Sequence, residues 1–297
     1  MDSINNDFIE SGWLRRISNL SIIKDNIVIM QELENRVYNK KDYFSKDSSQ
    51  KCDINEECRQ KMCQWCYQVI DFCHFKRETV AISMSYLDRI LSGDPLKSEI
   101  GLKVLNSRRE FQLAAITTLY LAIKVHEPSK LEISLLADLS RDCYSQEEIA
   151  MMEKKILFAL EWRLHDPTII SFVNYFATLL PRPIFDQPRI FNTIINVSTY
   201  QAEIAVSDYS LSILNPSVVA FASILNVLDS MNEKVLSSYQ KQAFYNSVQS
   251  ITTIDEGNPK IHEVKQYLKI ICEISSELQM DDLMSDLDVT RVNLHVL

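Results

Sequence analysis

The distribution of apolar residues predicts two enclosed helices. Phe111–Val125 would be apolar on every side of a helix, and its only polar side chains are Gln112, Thr117, Thr118 and Lys124. Ser217–Leu228 is apolar nearly all round as well. Because a helix without a polar face must be covered by other helices, we expect each of these two segments to be the central helix of a bundle.

Amphipathic segments around them predict the other helices of the two bundles. The first set is Ile54–Phe72, Glu78–Leu91, the enclosed helix, Leu131–Leu139 and Gln146–Trp162. The second set is Thr168–Leu180, Arg189–Leu214 with a break allowed near Asp208, Ser217–Leu228, Ser238–Ile251 and Pro259–Leu278. Ser145 followed by Glu148 is a capping box, which starts a helix. Ser92–Pro95 (SGDP) and Pro181-x-Pro183 are stop signals.

The two sets predict an all-α fold made of two stacked copies of one five-helix unit. Leu113–Ala115 and Val218–Ala220 lie at matching places in the two enclosed helices, which favours an internal repeat. An amphipathic helix from Asn26 precedes the first copy. We therefore expect an N-terminal arm and helix at 1–40, helical units at 41–165 and 166–280, and an acidic tail at 281–297.

Composition and charge narrow the classes of function. The 297 residues are 46% apolar and include only four glycines and eight prolines, which is typical of a compact helical protein with short connections. The net charge of −9 argues against a nucleic-acid partner, because nucleic acid selects basic surfaces. The sequence contains no recognisable motif of nucleophile, base and orienting acid, and no glycine-rich phosphate loop. We therefore expect neither catalysis nor a cofactor.

The cysteines indicate a reducing environment. Their number is seven, and an odd count without a signal peptide predicts free thiols in an intracellular protein of the nucleus or cytoplasm. Cys63-x-x-Cys66 has the spacing of zinc ligands. Its neighbours of similar chemistry are Cys52, Cys58, Cys73 and His74. Free cysteine also packs well in helical cores, so we expect no metal. The uncharged run Tyr209–Leu228 is broken at Asn215 and predicts no membrane span.

Four motifs resemble the cyclin box. Ala122–Glu127 (AIKVHE) is similar to Ala-Ser-Lys-x-Glu-Glu, and Tyr144–Leu157 is similar to the run T-x-x-x-(I/L)-x-x-M-E-x-x-(I/L)-L. Cys58–Trp65 (CRQKMCQW) lies where cyclins carry M-R-x-I-L-x-D-W, and Tyr86–Ser92 (YLDRILS) is similar to Y-(I/L)-D-R-(F/I)-L-S. The chain thus resembles a cyclin, the regulatory subunit of a cyclin-dependent kinase. The family positions that hold the expected residue are Arg59, Asp88, Leu113, Lys124 and Glu153.

The resemblance covers residues 26–165 by motif and 166–278 by helix pattern, and it implies a tandem cyclin fold. It also implies that Lys124 and Glu153 contact the kinase near its mobile αC helix. The apolar surface around them would consist of Leu121, Val125, Leu157, Trp162 and Leu164. The alternative is that both charges are simply solvated, as most lysines and glutamates are.

By the same resemblance, Arg59 and Asp88 form a buried ion pair that ties two helices together, and Leu113 belongs to the core. The alternative for the pair is two exposed helix charges. In many cyclins the M-R-x-I-L-x-D-W surface docks Arg-x-Leu segments of substrates or inhibitors. Here the corresponding residues are Met62, Gln64 and Trp65, and the family's acid is missing because Gln64 replaces it. We expect docking there to be weak or altered.

The sequence therefore predicts a protein that binds and activates a cyclin-dependent Ser/Thr kinase in cell-cycle control. One alternative is a cyclin-fold transcription regulator or adaptor without a kinase, which the acidic charge disfavours. Another is an enzyme with a helical metal site. Asp42–Phe44 loosely resembles D-type cyclins but does not fix a subclass. The one Arg-x-x-Leu, Arg291–Leu294, lies far from the N-terminal position of a mitotic destruction box.

Overall fold

All regular structure in the described part of the chain is helical. The computed structural model describes residues 20–38, 41–44, 53–93, 99–141, 143–185, 187–255 and 257–275. Most of the predicted arm, all of the predicted acidic tail, Cys52 and Arg291–Leu294 lie outside these residues. No helix within the described ranges is long and apolar enough to cross a membrane.

The first bundle is built around one central helix. Its helices are α1 (20–36), α2 (Glu56–Phe72), α3 (Glu78–Leu91), α4 (Ile100–Leu105), α5 (Arg108–His126), α6 (Ile133–Leu139) and α7 (Gln146–Ala159). Helix α5 packs against α2, α3, α4, α6 and α7. Its middle is buried on every side, including the hydroxyl groups of Thr117 and Thr118, which bond to backbone carbonyls of their own helix. The predicted enclosed helix is therefore confirmed.

The second bundle repeats this arrangement. Its helices are α8 (Ile169–Ala177), α9 (Arg182–Phe185), α10 (Pro188–Ser207), α11 (Tyr209–Ser212), α12 (Pro216–Ser230), α13 (Ser238–Gln249) and α14 (259–275). Helix α12 packs against α8 and α10 and is buried nearly all round. The predicted all-α class and tandem arrangement are confirmed. The proposed residue boundaries of the units stay a prediction.

Polar side chains cap the first turns of α7 and α2. The Ser145 hydroxyl accepts from the Glu148 N–H, and the Glu148 carboxylate accepts from the Ser145 N–H, which completes the predicted capping box at α7. The Asn55 side chain accepts from the Cys58 N–H at the start of α2. Because Asn55 is the cap, this helix begins at Glu56 rather than at Ile54.

Several other helix boundaries differ from the prediction. The short helices α4 and α9 were not predicted, and α6 and α8 are shorter than the predicted segments. Helix α8 ends at Ala177, before the predicted stop signal Pro181-x-Pro183, and the predicted break near Asp208 separates α10 from α11. Helix α7 ends at Ala159 instead of Trp162 because Glu161 and Trp162 adopt positive φ angles of 52° and 61°. Such angles end an α-helix. Trp162 therefore belongs to the loop that follows α7.

The two bundles meet through α10 and α11, which contact α2 and, for α10, also α3. Helix α1 adds a polar contact to this junction. The buried Glu34 carboxylate accepts from the Ser217 N–H at 3.0 Å and from the Ser217 hydroxyl at 2.5 Å, at the first turn of α12. The aromatic rings of Tyr43, Phe44 and Tyr209 pack together, with centroids 4.6 to 5.0 Å apart, and connect the segment before α2 to α11.

Candidate functional site

The candidate site lies where α5 and α7 expose their charged residues. The starts of the two helices are held together because Arg109 in α5 donates to the Glu148 carboxylate at 2.7 Å. Tyr144, just before α7, donates its hydroxyl to the Arg109 carbonyl at 3.0 Å. These contacts, together with the packing of α5 against α7, fix the position of one helix relative to the other. Lys124, in the last turn of α5, and Glu153, in α7, are thereby brought to one outer face.

Lys124 and Glu153 form an ion pair on that face. The Lys124 Nζ lies 2.9 Å from the Glu153 Oε1. The lysine side chain is 50% exposed and the glutamate side chain 15% exposed, so the cation projects further into solvent than its partner. The hydrogen bond to Glu153 raises the pKa of Lys124. The ammonium also lies 5.6 Å from the centroid of the Tyr120 ring, one turn earlier on α5.

Apolar side chains surround this pair to different degrees. Leu157, one turn after Glu153 on α7, and Leu164, in the loop after α7, are half-buried. Val125 is exposed next to Lys124, and Trp162 is 63% exposed. These four side chains are accessible to a partner, and Trp162 is the most accessible of them.

Leu121 is a correction to the predicted surface. Its side chain is only 2% exposed, because it lies on a side of α5 that packs against the other helices of the first bundle. A helix that is apolar all round carries no sequence pattern that tells an outward leucine from an inward one. We therefore remove Leu121 from the candidate site and assign it to the core, together with Leu113, which is 4% exposed.

A second ion pair joins α2 to α3 in the interior. Arg59 Nε donates to Asp88 Oδ1 at 2.8 Å, and Arg59 Nη2 donates to Asp88 Oδ2 at 2.9 Å. This is a bidentate pair, in which the planar guanidinium matches the carboxylate. Burial alone would lower the pKa of Arg59, but the Asp88 carboxylate more than offsets burial and the pKa is raised.

The buried pair also reaches the second bundle and the segment before α2. Arg59 Nη1 donates to the Val206 carbonyl at 2.9 Å, near the end of α10, where helix carbonyls lack partners within the helix. The Tyr43 hydroxyl donates to Asp88 Oδ1 at 2.8 Å. Burial, followed by the charge of Asp88, raises the pKa of Tyr43 well above its ordinary value. The pair thus contributes to the junction between the bundles.

The residues predicted for substrate docking do not form one surface. Met62 and Trp65 are half-buried and pack against the core. Gln64 is exposed and lines a different groove, between α2, α10 and α14, beside Tyr67 and Glu203. Since Gln64 points away from the side of α2 that carries Met62 and Trp65, the three side chains are not brought together.

The cysteines of α2 lie in a packed environment. Cys63 and Cys66 are buried, and burial raises the pKa of the Cys63 thiol to about 11, so this group stays a thiol at neutral pH. Cys63 Sγ lies 3.3 Å from the Ser207 hydroxyl across the bundle junction. Within the described ranges, no three His, Cys, Asp or Glu side chains are grouped so that they could hold a metal ion.

Sequence reasoning missed two residues of the junction. Tyr43 was noted only as part of a loose resemblance, and Glu34 was treated as part of an amphipathic helix. Tyr43 lies outside the helices, where no periodic pattern predicts its contacts. The signal that could have found Glu34 is its place on the apolar side of α1, near Ile27, which is fully buried.

Parts of the chain are similar in sequence to a known domain family and to plant proteins. Residues 25–165 match the cyclin N-terminal domain model. The chain is 28% identical over 200 residues to cyclin-A3-2 of Oryza sativa subsp. japonica, covering 66% of this chain and 48% of that protein. It is 30% identical over 182 residues to cyclin-B1-1 of Arabidopsis thaliana, covering 61% and 38%. The chain thus spans less than half the length of these two relatives.

A solved structure resembles the fold. The X-ray structure of a viral cyclin from herpesvirus saimiri superimposes with a TM-score of 0.53, at 18% identity, over 75% of this chain and 94% of that chain. At this identity the likeness shows the fold alone. It agrees with the two helical bundles described above.

Proposed function

Because this chain belongs to the cyclin family, we propose that it is a regulatory subunit that binds and activates a cyclin-dependent Ser/Thr kinase in cell-cycle control. The observation that carries the proposal is the ion pair between Lys124 and Glu153 on the outer face of the first bundle. Both residues also occupy the family positions that contact the kinase near its αC helix. We further propose that the protein acts in the nucleus, the cytoplasm or both.

The proposed mechanism is mechanical support of the kinase. A protein kinase is active only when the glutamate of its αC helix pairs with the lysine of strand β3. A partner that binds the active arrangement more tightly shifts the population toward it. Lys124 and Glu153 would make charged contacts to the segment next to αC. The apolar side chains Val125, Leu157 and Leu164 would pack against that segment.

The packing of α5 supports such a role. A surface can hold another protein's helix in place only if it is itself rigid. Lys124 extends from a helix whose middle is fully buried, and Glu153 extends from a helix fixed at its start by a capping box. The charged residues of the interaction surface therefore extend from helices.

The test is recovery of a kinase with the purified chain, followed by mass spectrometry and a kinase assay. The variant Lys124→Glu with Glu153→Lys keeps an attractive pair within the chain but reverses each charge that faces the partner. We expect this variant to recover no kinase and to keep its helical circular dichroism.

The matched control reverses a second exposed pair in the same bundle. Lys61 and Glu57 lie on α2, with Nζ and Oε1 2.7 Å apart. The variant Lys61→Glu with Glu57→Lys should bind kinase like the original chain. Full kinase binding by the Lys124 and Glu153 variant would refute the assignment. Binding without stimulation of kinase activity would instead indicate an adaptor.

We do not propose docking of Arg-x-Leu segments, since Met62, Gln64 and Trp65 do not share a surface.

A further inference from the structure

The loop after α7 holds two residues in an unfavourable backbone conformation. Glu161 and Trp162 have φ angles of 52° and 61°, in the left-handed region that disfavours any residue with a Cβ atom. The Trp162 N–H donates to the Leu157 carbonyl at 3.1 Å, and the Glu161 N–H donates to the Phe158 carbonyl at 3.1 Å. This is the Schellman ending of a helix, which usually has glycine at the position of Glu161.

Arg89 of α3, whose side chain is largely buried, holds this loop in place. Arg89 Nη1 donates to the Arg163 carbonyl at 2.8 Å and to Asp166 Oδ1 at 2.7 Å, and Nη2 donates to the Leu160 carbonyl at 3.3 Å. Arg89 is 10% exposed and Asp166 is 1% exposed. The guanidinium also lies 4.6 Å from the centroid of the Tyr38 ring. One side chain therefore binds the loop before and after the two left-handed residues.

Two further contacts tie the same loop to the bundle. The Leu164 carbonyl accepts from the Tyr86 hydroxyl of α3 and lies 2.9 Å from His126 Nε2. His126 is the last residue of α5 and follows Lys124 by two positions. The loop is thereby attached to the end of α5 that carries the exposed ion pair.

The loop exposes the ring of Trp162 to solvent. Trp162 is 63% exposed, and its ring makes an edge contact to Phe158, with centroids 6.3 Å apart. Backbone strain that the surroundings enforce is commonly found where a side chain must be presented to a ligand. Tryptophan is among the residues that contribute most to binding at protein interfaces.

We propose that Arg89 is a positioning residue that fixes Trp162 as a preformed aromatic anchor for the kinase. This inference rests on the proposed function. Arg89 makes no contact with the kinase itself; it lowers the cost of binding, because the loop and its tryptophan are already ordered before the partner arrives.

The first test is a double-mutant cycle of affinity for a purified cyclin-dependent kinase that the original chain binds. Arg89→Lys keeps a positive charge beside Asp166 but lacks the planar fork that reaches both carbonyls. We expect about three- to tenfold weaker binding from Arg89→Lys and at least about tenfold weaker binding from Trp162→Ala. The double variant should bind like Trp162→Ala, within about twofold.

Arg77→Lys is the matched control. Arg77 also donates to carboxylates, those of Asp71 and Glu203, and lies over a tyrosine ring, but at the start of α3. It should leave kinase affinity unchanged. If Arg89→Lys and Trp162→Ala weaken binding additively, Arg89 does not act through Trp162 and the inference is wrong.

The second test needs no kinase. With Trp13→Phe and Trp65→Phe, Trp162 is the only tryptophan, and its fluorescence anisotropy decay reports the motion of its ring. Arg89→Lys should add fast motion of this ring at unchanged helical circular dichroism, and Arg77→Lys should not. An unchanged decay would overturn the positioning role. If the decay changes as expected but the original chain binds no kinase, the proposed function fails while the positioning role stands.

Discussion

Two ion pairs of similar length occupy opposite surroundings in the first bundle. Arg59 and Asp88 are 2.8 Å apart and 1% and 0% exposed. Lys124 and Glu153 are 2.9 Å apart and 50% and 15% exposed. The distance between the charges is therefore no guide to their role. The surroundings decide whether a pair holds the protein together or remains available to a partner.

The difference follows from the cost of removing a charge from water. Each buried charge loses several kcal/mol of hydration, so an inner pair persists only when hydrogen bonds satisfy it fully. Arg59 meets this condition through its bidentate contact to Asp88 and its bond to Val206 in the second bundle. The outer pair stays hydrated and contributes about 0–1 kcal/mol. Its charges can be shared with another protein at little cost.

The largest expected effect comes from breaking the inner pair. Arg59→Ala would leave Asp88 buried with an uncompensated charge, and we expect the free energy of unfolding to fall by about 3 to 5 kcal/mol. Urea unfolding followed by circular dichroism measures this change. Lys61→Ala, on the exposed side of the same helix, is the control and should cost less than about 0.5 kcal/mol. A loss below about 1 kcal/mol for Arg59→Ala would contradict the assigned role of the pair.

A smaller effect is expected when only a neighbour of the inner pair is changed. Tyr43→Phe removes the hydroxyl that donates to Asp88 at 2.8 Å and keeps the ring contacts to Phe44 and Tyr209. A hydrogen bond to a charged group contributes about 1.5 to 3 kcal/mol, so the same urea titration should show a loss in that range. Tyr239→Phe, at a tyrosine that is 83% exposed, should leave the free energy of unfolding unchanged. Equal stabilities of the two variants would mean that the hydrogen bond from Tyr43 to Asp88 does not stabilise the folded protein.

The third prediction concerns Glu34, whose carboxylate is buried and accepts hydrogen bonds from Ser217. Burial raises the pKa of Glu34 from 4.5 to about 7. Its folded-state pKa lies above its unfolded value, so its contribution to stability is fully present below pH 4.5 and is lost as the pH rises through about 7. The slope in this window should reach about 1.4 kcal/mol per pH unit.

Glu34→Gln removes this titration, so the variant's stability should lose that slope between pH 5 and 7. Urea titrations at several pH values measure the slope for each variant. Glu32→Gln, at an exposed position of the same helix, should leave the pH profile unchanged. A Glu34→Gln profile that matches the original chain would show that Glu34 is hydrated and charged in the folded protein.

Much of the fold could be predicted because its signals are local. An apolar run without a polar face identified α5 and α12, and the capping box of Ser145 and Glu148 fixed the start of α7. The short helices α4 and α9 have too few residues for a periodic pattern. The end of α7 was predicted too late in the chain. Glu161 and Trp162 adopt left-handed conformations there, but neither is glycine, the residue that usually indicates such a helix end.

The candidate site could be predicted in part for a similar reason. Spacing along the chain allowed Lys124 and Glu153 to meet, and the structure brings them together. Leu121 was misplaced because the direction of a side chain on an all-apolar helix depends on its tertiary neighbours. The junction contacts of Tyr43 and Glu34 depend on residues far along the chain, Tyr209 and Ser217, which no local pattern connects to them.

The smallest effect on stability is expected for the outer pair. Lys124→Met keeps most of the apolar stem and removes the charge, so the free energy of unfolding should change by less than about 1 kcal/mol. The pKa of Lys124 is raised by its hydrogen bond to Glu153. Whatever the pair contributes is therefore present below the ordinary lysine pKa and is lost as the pH rises through the raised value. Because the side chain is half exposed, salt should weaken this contribution further.

Urea titration at low and high salt measures the contribution of the outer pair to stability, and kinase recovery measures the separate loss of binding that we propose. A loss of stability comparable to that of Arg59→Ala would mean that the outer pair holds the bundle together, and the contrast between the two pairs would not hold.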